Sequence, residues 1–289
     1  MNDNGQTLYR GQCLSMPVPG TVDLFLFTGA EAIAPPLAAA LAVFLAPEET
    51  RRVHALQRCD DQCRTLAARG LLRRVLSDYH PQIAPGVWQF THNAYGKPAL
   101  TVPLLQFNVS HTEGMIALAF SHADCAVGVD VELQGKLSAQ QSRELYDLVL
   151  APQERRHVEH YEREFPGEAA SAFLRTWALK EAWLKATGAG LSISPAHIAL
   201  CFNVDQQPAL QLGKGIAASI PEHQQLTQLV ARNWWLHHQQ LRGDGEQGHE
   251  LAVALDVGQH VGRVGQVCVA DLRRSDWYFA ETYQRRVLP

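Results

Sequence analysis

Apolar and polar positions alternate in some stretches of the chain and follow a helical period in others. Val22 to Phe27 (VDLFLF) is a nearly continuous apolar run of strand length. Pro35 to Leu45, rich in Ala and Leu, predicts a helix. Pro47 opens a second helix, where a proline at the first helical position fits. The apolar spacing of Val53, Leu56, Leu66, Leu71, Leu72 and Val75 carries that helix to about Tyr79. Short strands are expected near 87–91, 105–109 and 115–120, with the turn YGKP (Tyr95 to Pro98) between two of them. After a break at Ser121 to Asp124, a strand begins at Ala126 and more helix runs from about 139 to 160. The strongest helix spans about Glu168 to Thr187 and stops at Gly188. The remainder reads as strands at 197–202, 208–212, 231–238, 251–257 and 264–270, with loops at 213–215 and 242–248.

Strands and helices come in a similar order in both halves, which points to an internal duplication without an evident sequence repeat. The expected organisation is an N-terminal extension at 1–21, an N-terminal half at 22–124, a C-terminal half at 125–272 and a tail at 273–289.

Composition narrows the class. With 289 residues, 46% hydrophobic and 19% charged, the chain is neither disordered nor collagenous. No apolar run approaches the ~18 residues that span a bilayer, and the N-terminus lacks a secretory pattern, so a cytoplasmic protein without a membrane partner is expected. Six cysteines in so long a chain make a poor disulfide framework. Cys59 and Cys63 lie four apart with no second pair at zinc spacing. The net charge of −4 argues against nucleic acid. One stretch departs from that balance: Arg51 to Arg74 holds seven arginines against two acids, a local charge of +5. It reads either as a surface for an anionic partner or phosphates, or as a solvated helix face.

Three segments carry candidate chemistry. In AVGVDVE (Ala126 to Glu132) a strand would turn Val127, Val129 and Val131 one way and Asp130 and Glu132 the other. The two carboxylates would stand roughly 6.6 Å apart along the strand. Hard oxygen ligands at that separation suit Mg²⁺ beside phosphates, although a lone D-x-E is more often the solvent face of an edge strand. In the helix Phe173 to Leu191, Glu181 falls inside the apolar stripe of Phe173, Leu174, Trp177, Ala178 and Leu184. A carboxylate facing the core wants a cation, so Glu181 is a third ligand candidate, with Lys185 one turn further on the same face. An ordinary Glu–Lys helix pair is the competing reading. Lys180 lies about 100° round the helix and is expected in solvent. Finally, Ser110 and His111 end a strand in FNVSHTEG and suit phosphate oxygens, and Lys97 in the GKP turn offers a point charge.

Taken in order, GKP, FNVSHTEG, VGVDVE and WALKEAWLKATGAGL resemble the 4′-phosphopantetheinyl transferases of the broad-specificity, surfactin-synthetase-activating type. The resemblance runs from about Val22 to Leu191, and APEETRRVHALQRCDDQCRTLAARGLLRR resembles that family's first-half helix. It implies an α+β monomer of two similar α/β halves about a pseudo-twofold axis, each with a small, mainly antiparallel sheet and a long helix. Coenzyme A would lie in the cleft between them. Asp130, Glu132 and Glu181 would bind Mg²⁺, with Mn²⁺ as the alternative ion. Glu181 and Lys185 would be catalytic. Arg52, Thr65, Lys97, Ser110, His111 and Lys185 would hold the phosphates. A lysine of the family falls on Glu49 here, and Arg51 is the candidate substitute.

The implied reaction moves the phosphopantetheine arm of coenzyme A to a serine of an acyl or peptidyl carrier protein and releases 3′,5′-ADP. The basic 51–74 stretch would steer an acidic carrier. Two other readings use the same residues: a Mg²⁺-dependent phosphodiesterase or pyrophosphatase acting on coenzyme A-like nucleotides, and a non-catalytic binder of coenzyme A or carriers.

Overall fold

The computed structural model describes residues 13–165, 169–202, 207–213, 223–242 and 248–274. Most of the N-terminal extension, most of the C-terminal tail and parts of the loops at 213–215 and 242–248 lie outside the described residues.

Eleven strands and seven helices are present among the described residues. The first half contains β1 (Thr21–Thr28), α1 (Pro35–Ala42), α2 (Pro47–His54), α3 (Cys59–Tyr79), the hairpin β2 (Phe90–His92) and β3 (Pro98–Leu100), then β4 (Leu105–Thr112) and β5 (Met115–His122). The second contains β6 (Val127–Leu133), α4 (Ala139–Val149), α5 (Pro152–Glu164), α6 (Ala169–Thr187), the hairpin β7 (Ile198–Phe202) and β8 (Pro208–Leu212), α7 (His223–Val230), β9 (Trp234–Arg242), β10 (Gly248–Asp256) and β11 (Arg263–Asp271).

The duplication is visible in the topology. One sheet has the order β11-β1-β5-β4 and the other β6-β10-β9. In each half a first strand, a long helix and a two-stranded hairpin precede an antiparallel pair, and the last strand of that pair lies between the other two. β11 breaks the symmetry by returning to the first half, where it pairs in parallel with β1. The second half therefore ends inside the sheet of the first.

Alternation explains the layering. Val22, Leu24 and Leu26 of β1 and Val127, Val129 and Val131 of β6 meet in one core between the two sheets. Phe25 and Phe27 point the other way, into a core shared with Leu71, Leu72 and Val75 of α3. On the far side, Ala252 and Ala254 of β10 pack against Ala178, Ala182 and Ala186 of α6. The result is a helix–sheet–sheet–helix stack, with α3 and α6 outermost. Among the described residues, no helix is long and apolar enough to cross a membrane.

Three elements differ from the periodicity. The helix expected from Pro47 to Tyr79 breaks at Ala55–Arg58, and Asp60 and Asp61 occupy the first turn of its second piece, where acids favour a helix start. The expected 139–160 helix breaks before Pro152. The helix α7 falls between the loop expected at 213–215 and the strand expected at 231–238, where no element was expected. Its signal, Leu226, Leu229 and Val230, is a single i, i+3, i+4 set in eight residues.

Candidate functional site

The site is built where β6 meets α6, and Gly128 permits the meeting. A Cβ at that position would lie 1.9 Å from the Ala182 carbonyl oxygen and 2.5 Å from the Ala186 nitrogen. Without a side chain there, the helix backbone settles directly on the strand. The polar face of β6, Asp130 and Glu132, then looks toward Glu181 and Lys185.

The other edge of β6 meets β4 through side chains. Asn108 Oδ1 accepts the Val129 N–H at 2.9 Å, and Ser110 Oγ accepts the Val131 N–H at 3.3 Å. Two residues of one β4 face thus satisfy the free edge of β6 on both sides of Asp130. Ser110 also donates to Asp130 Oδ1 at 2.9 Å and accepts from Lys185 Nζ at 3.0 Å. Its hydroxyl is fully used in holding Asp130.

Lys185 Nζ lies 2.5 Å from Asp130 Oδ1. Asp130 is only 3% exposed, and its other oxygen, Oδ2, is buried with no hydrogen-bond partner. A buried, bare carboxylate oxygen is a strong acceptor in want of a cation. Glu132 Oε1 accepts the Trp177 indole N–H at 3.1 Å, and Oε2 pairs with Lys136 at 3.2 Å. Burial raises the Glu181 carboxyl above its ordinary 4.5. Lys185 opposes that shift, and the negative charges of Asp130 and Glu132 add to it. The three expected carboxylates therefore share one electrostatic neighbourhood. Among the described residues no three Asp, Glu, His or Cys side chains stand as a ready-made metal cage. The donor set and the orphaned oxygen still suit a hard cation.

His111 lies beside this group. Desolvation lowers its pKa first, followed by the charges of Arg64, Lys185 and Arg69, so it is biased toward the neutral imidazole. His111 feels the charges of both Lys185 and Arg69, and Arg69 lines a cavity of about 410 Å³ together with Glu49, Arg52, Thr65, Arg73 and Phe90. Arg52 and Thr65, two of the expected phosphate-holding residues, are in that lining. On α3, Thr65, Arg69 and Arg73 follow one another at i, i+4 spacing along one face, while Arg52 comes from α2. Glu49, at the position of the family lysine, is bound to Arg73 and caps the Ala46 N–H at 2.9 Å. Arg51 does not enter the lining and pairs with Glu48.

The arginine stretch is less positive outwardly than its sequence suggests. Arg73 and Arg74 are buried, paired with Glu49 and Asp78. Arg64 is bound to Glu31 and Asp61, and Arg51, Arg52 and Arg58 each have an acidic neighbour. Glu31 and Asp78, outside the counted stretch, supply part of that neutralisation.

Two lysines have backbone-carbonyl partners that their sequence positions do not announce, and one of them departs from its expected place. Lys180, expected in solvent, is fully buried. It pairs with Glu154 and donates to Val149 O at 2.7 Å and Pro195 O at 3.0 Å. Helix α6 is covered on nearly every side, so a position 100° from its apolar stripe still faces protein. Lys97 donates to Val127 O at 3.1 Å and Ala186 O at 2.9 Å, and burial lowers its pKa to about 8.

Sequence reasoning missed Asn108, Trp177 as a Glu132 partner, and Arg69. Asn108 was detectable, two residues before Ser110 on the same strand face.

Residues 126–253 match the model of the 4′-phosphopantetheinyl transferase superfamily. The chain is 32% identical over 159 residues to the 4′-phosphopantetheinyl transferase HetI of Nostoc, which covers 53% of this chain and 63% of that protein. It is 24% identical over 176 residues to the 4′-phosphopantetheinyl transferase Sfp of Bacillus subtilis, covering 58% and 71%. The match thus spans less than two thirds of the first relative. An apo-ACPS structure from Chronobacterium aligns with 46% of this chain and 96% of its own, at 22% identity and a TM-score of 0.32.

Proposed function

We propose that the chain, whose residues 126–253 match the model of the 4′-phosphopantetheinyl transferase superfamily, transfers the 4′-phosphopantetheine arm of coenzyme A to a serine of an apo carrier protein. The observation that carries this reading is the Asp130–Ser110–Lys185 cluster, with its bare Oδ2 and a shifted Glu181; the arginine-lined cavity of the first half supports it.

Arg52, Thr65 and Arg69 would hold the phosphate of the nucleotide end in the cavity, and His111 would donate to the pyrophosphate. Asp130, Glu132 and Glu181 would hold a magnesium ion. When bound, such an ion supplies neutralisation of the pyrophosphate charge. Lys185 sits against Asp130, and its ammonium would offset charge on the transferring phosphoryl group. Glu181 would take the proton of the carrier serine through a water, because a carboxylate beside a bound cation is a weak base on its own. The serine oxygen then bonds to the β-phosphorus as the bond to the 3′,5′-ADP oxygen breaks. Ser110 and Trp177 orient two of the carboxylates. We propose a cytoplasmic monomer, since Ser110 of the first half meets Asp130 and Lys185 of the second within one chain.

The test is the intact mass of several apo carrier proteins after incubation with the chain, Mg²⁺ and coenzyme A. A mass increase of one phosphopantetheine is expected, lost in Asp130→Ala and Glu181→Ala. Cleavage of coenzyme A with no carrier present would instead indicate a phosphodiesterase, and binding without a product a non-catalytic binder.

A further inference from the structure

The GKP turn belongs to the β2–β3 hairpin of the first half, yet its side chains end on the second. Lys97 Nζ reaches Val127 O, at the start of the strand that carries Asp130 and Glu132. The same ammonium reaches Ala186 O, in the last turn of the helix that carries Glu181 and Lys185. Asn93 Nδ2 donates to Gly188 O at 2.7 Å, just past that helix end. Gly188 has a φ of +72°, the left-handed geometry that closes a helix. The Asn93 Oδ1 atom in turn accepts the Lys97 N–H at 2.8 Å, so the two anchors brace each other.

These contacts meet needs that the second half leaves open. The last carbonyls of a helix have no intrahelical donor. A cation at a helix C-terminus also interacts favourably with the helix dipole. Val127 O and Ala186 O belong to the two elements that Gly128 brings into backbone contact. One ammonium therefore bridges β6 and α6 beside the point of closest approach.

Building on the transferase reading, we propose that Lys97 is a positioning residue: the hairpin clasps the end of α6 to the start of β6, and so sets where Lys185 and Glu181 stand relative to Asp130. Lys185 is the immediate neighbour of Ala186, so a loosened last turn moves its ammonium away from Asp130 and Ser110. The clasp also makes the site depend on both halves, since the first half supplies both the nucleotide cavity and the anchor. Two of the three ammonium hydrogens of Lys97 are committed to carbonyls, which leaves phosphate binding a secondary role.

The experiment compares Lys97→Met, which keeps the aliphatic stem, with Lys97→Arg and Asn93→Ala. Three quantities are read: amide hydrogen exchange at 127–132 and 184–188, calorimetric affinity for 3′,5′-ADP, and kcat with KM for coenzyme A. In Lys97→Met, exchange at those two segments rises tenfold or more and kcat falls at least tenfold. The 3′,5′-ADP affinity and the coenzyme A KM stay within about twofold. Asn93→Ala shifts the same segments, and Lys97→Arg recovers part of the loss. A tenfold loss of 3′,5′-ADP affinity with unchanged exchange would overturn the proposal and make Lys97 a phosphate ligand. Uniformly raised exchange with unchanged kcat would also overturn it. If the unaltered chain modifies no carrier, the transferase reading fails, and exchange and 3′,5′-ADP binding still decide the clasp. Should Lys97→Met fail to fold, Asn93→Ala is read by the same measures.

Discussion

Replacing Gly128 by alanine tests the packing on which the site depends. The new methyl would sit 1.9 Å from Ala182 O, 2.5 Å from Ala186 N and 3.0 Å from Ala186 Cα. Its neighbours are helix backbone, which cannot rotate aside. Real Cβ atoms essentially never come within 3.0 Å of another heavy atom, so α6 must retreat by at least about 1 Å. Overpacking of this kind costs about 1–3 kcal/mol. At roughly 2–4 °C per kcal/mol for a chain near this size, the melting temperature falls by roughly 2–12 °C. The catalytic loss is expected to be larger than that destabilisation suggests. Lys185 and Glu181 ride on the displaced helix, and a misplacement of about 1 Å costs on the order of 100-fold in rate. The assay pairs a thermal melt with carrier-modification kinetics at a temperature where the variant is folded. Gly86→Ala is the control, since its nearest neighbour lies 3.8 Å away and no strain results. A Gly128→Ala variant that melts within 1 °C of the parent and turns over normally would refute the close-approach reasoning.

Lys180→Met strands the buried Glu154 carboxylate, which keeps the N–H donors of Ala151 and Leu200. Breaking such a pair costs about 3 kcal/mol, or roughly 5–10 °C in the melt, and a drop under about 2 °C would count against it. Glu181 has a raised pKa, so the folded chain keeps a proton there that the unfolded chain gives up above about 4.5. Its contribution to stability is full below that pH and is lost as pH rises through the folded value. Urea midpoints without magnesium should show this slope, and Glu181→Gln should flatten it; equal slopes would disprove the assignment. Arg69→Met removes a half-buried cation from the nucleotide cavity. It should weaken 3′,5′-ADP by about 1.5–3 kcal/mol, roughly ten- to a hundred-fold, and reduce its salt dependence, as read by calorimetry. Unchanged affinity would remove Arg69 from the phosphate site.

The sheet cores and the acidic cluster were legible because alternation is a local code. VGVDVE announces one apolar and one acidic face, and the valines lie between the sheets as that code requires. The strand boundaries of VDLFLF and the stop of α6 at Gly188 follow from similarly local rules. What the sequence hid depends on long-range partners. Lys180 is written like a surface residue, and only Glu154, 26 positions earlier, makes its burial tolerable. The basic stretch looked like a steering surface because Glu31 and Asp78 lie outside it. Lys97 sits in a turn that resembles a phosphate loop, while its carbonyl partners are 30 and 89 residues away. No periodicity reports on such pairs.

The return of β11 to β1 bears on any attempt to divide the molecule. Cutting the chain between β5 and β6 would strip β1 of its parallel neighbour and leave a long apolar edge open to self-association. The complementary fragment would carry an orphan strand with Val264, Val267 and Val269 looking for the core they left. Coexpressed fragments should therefore reassemble through that strand far better than a first fragment ending at Asp124 would survive alone.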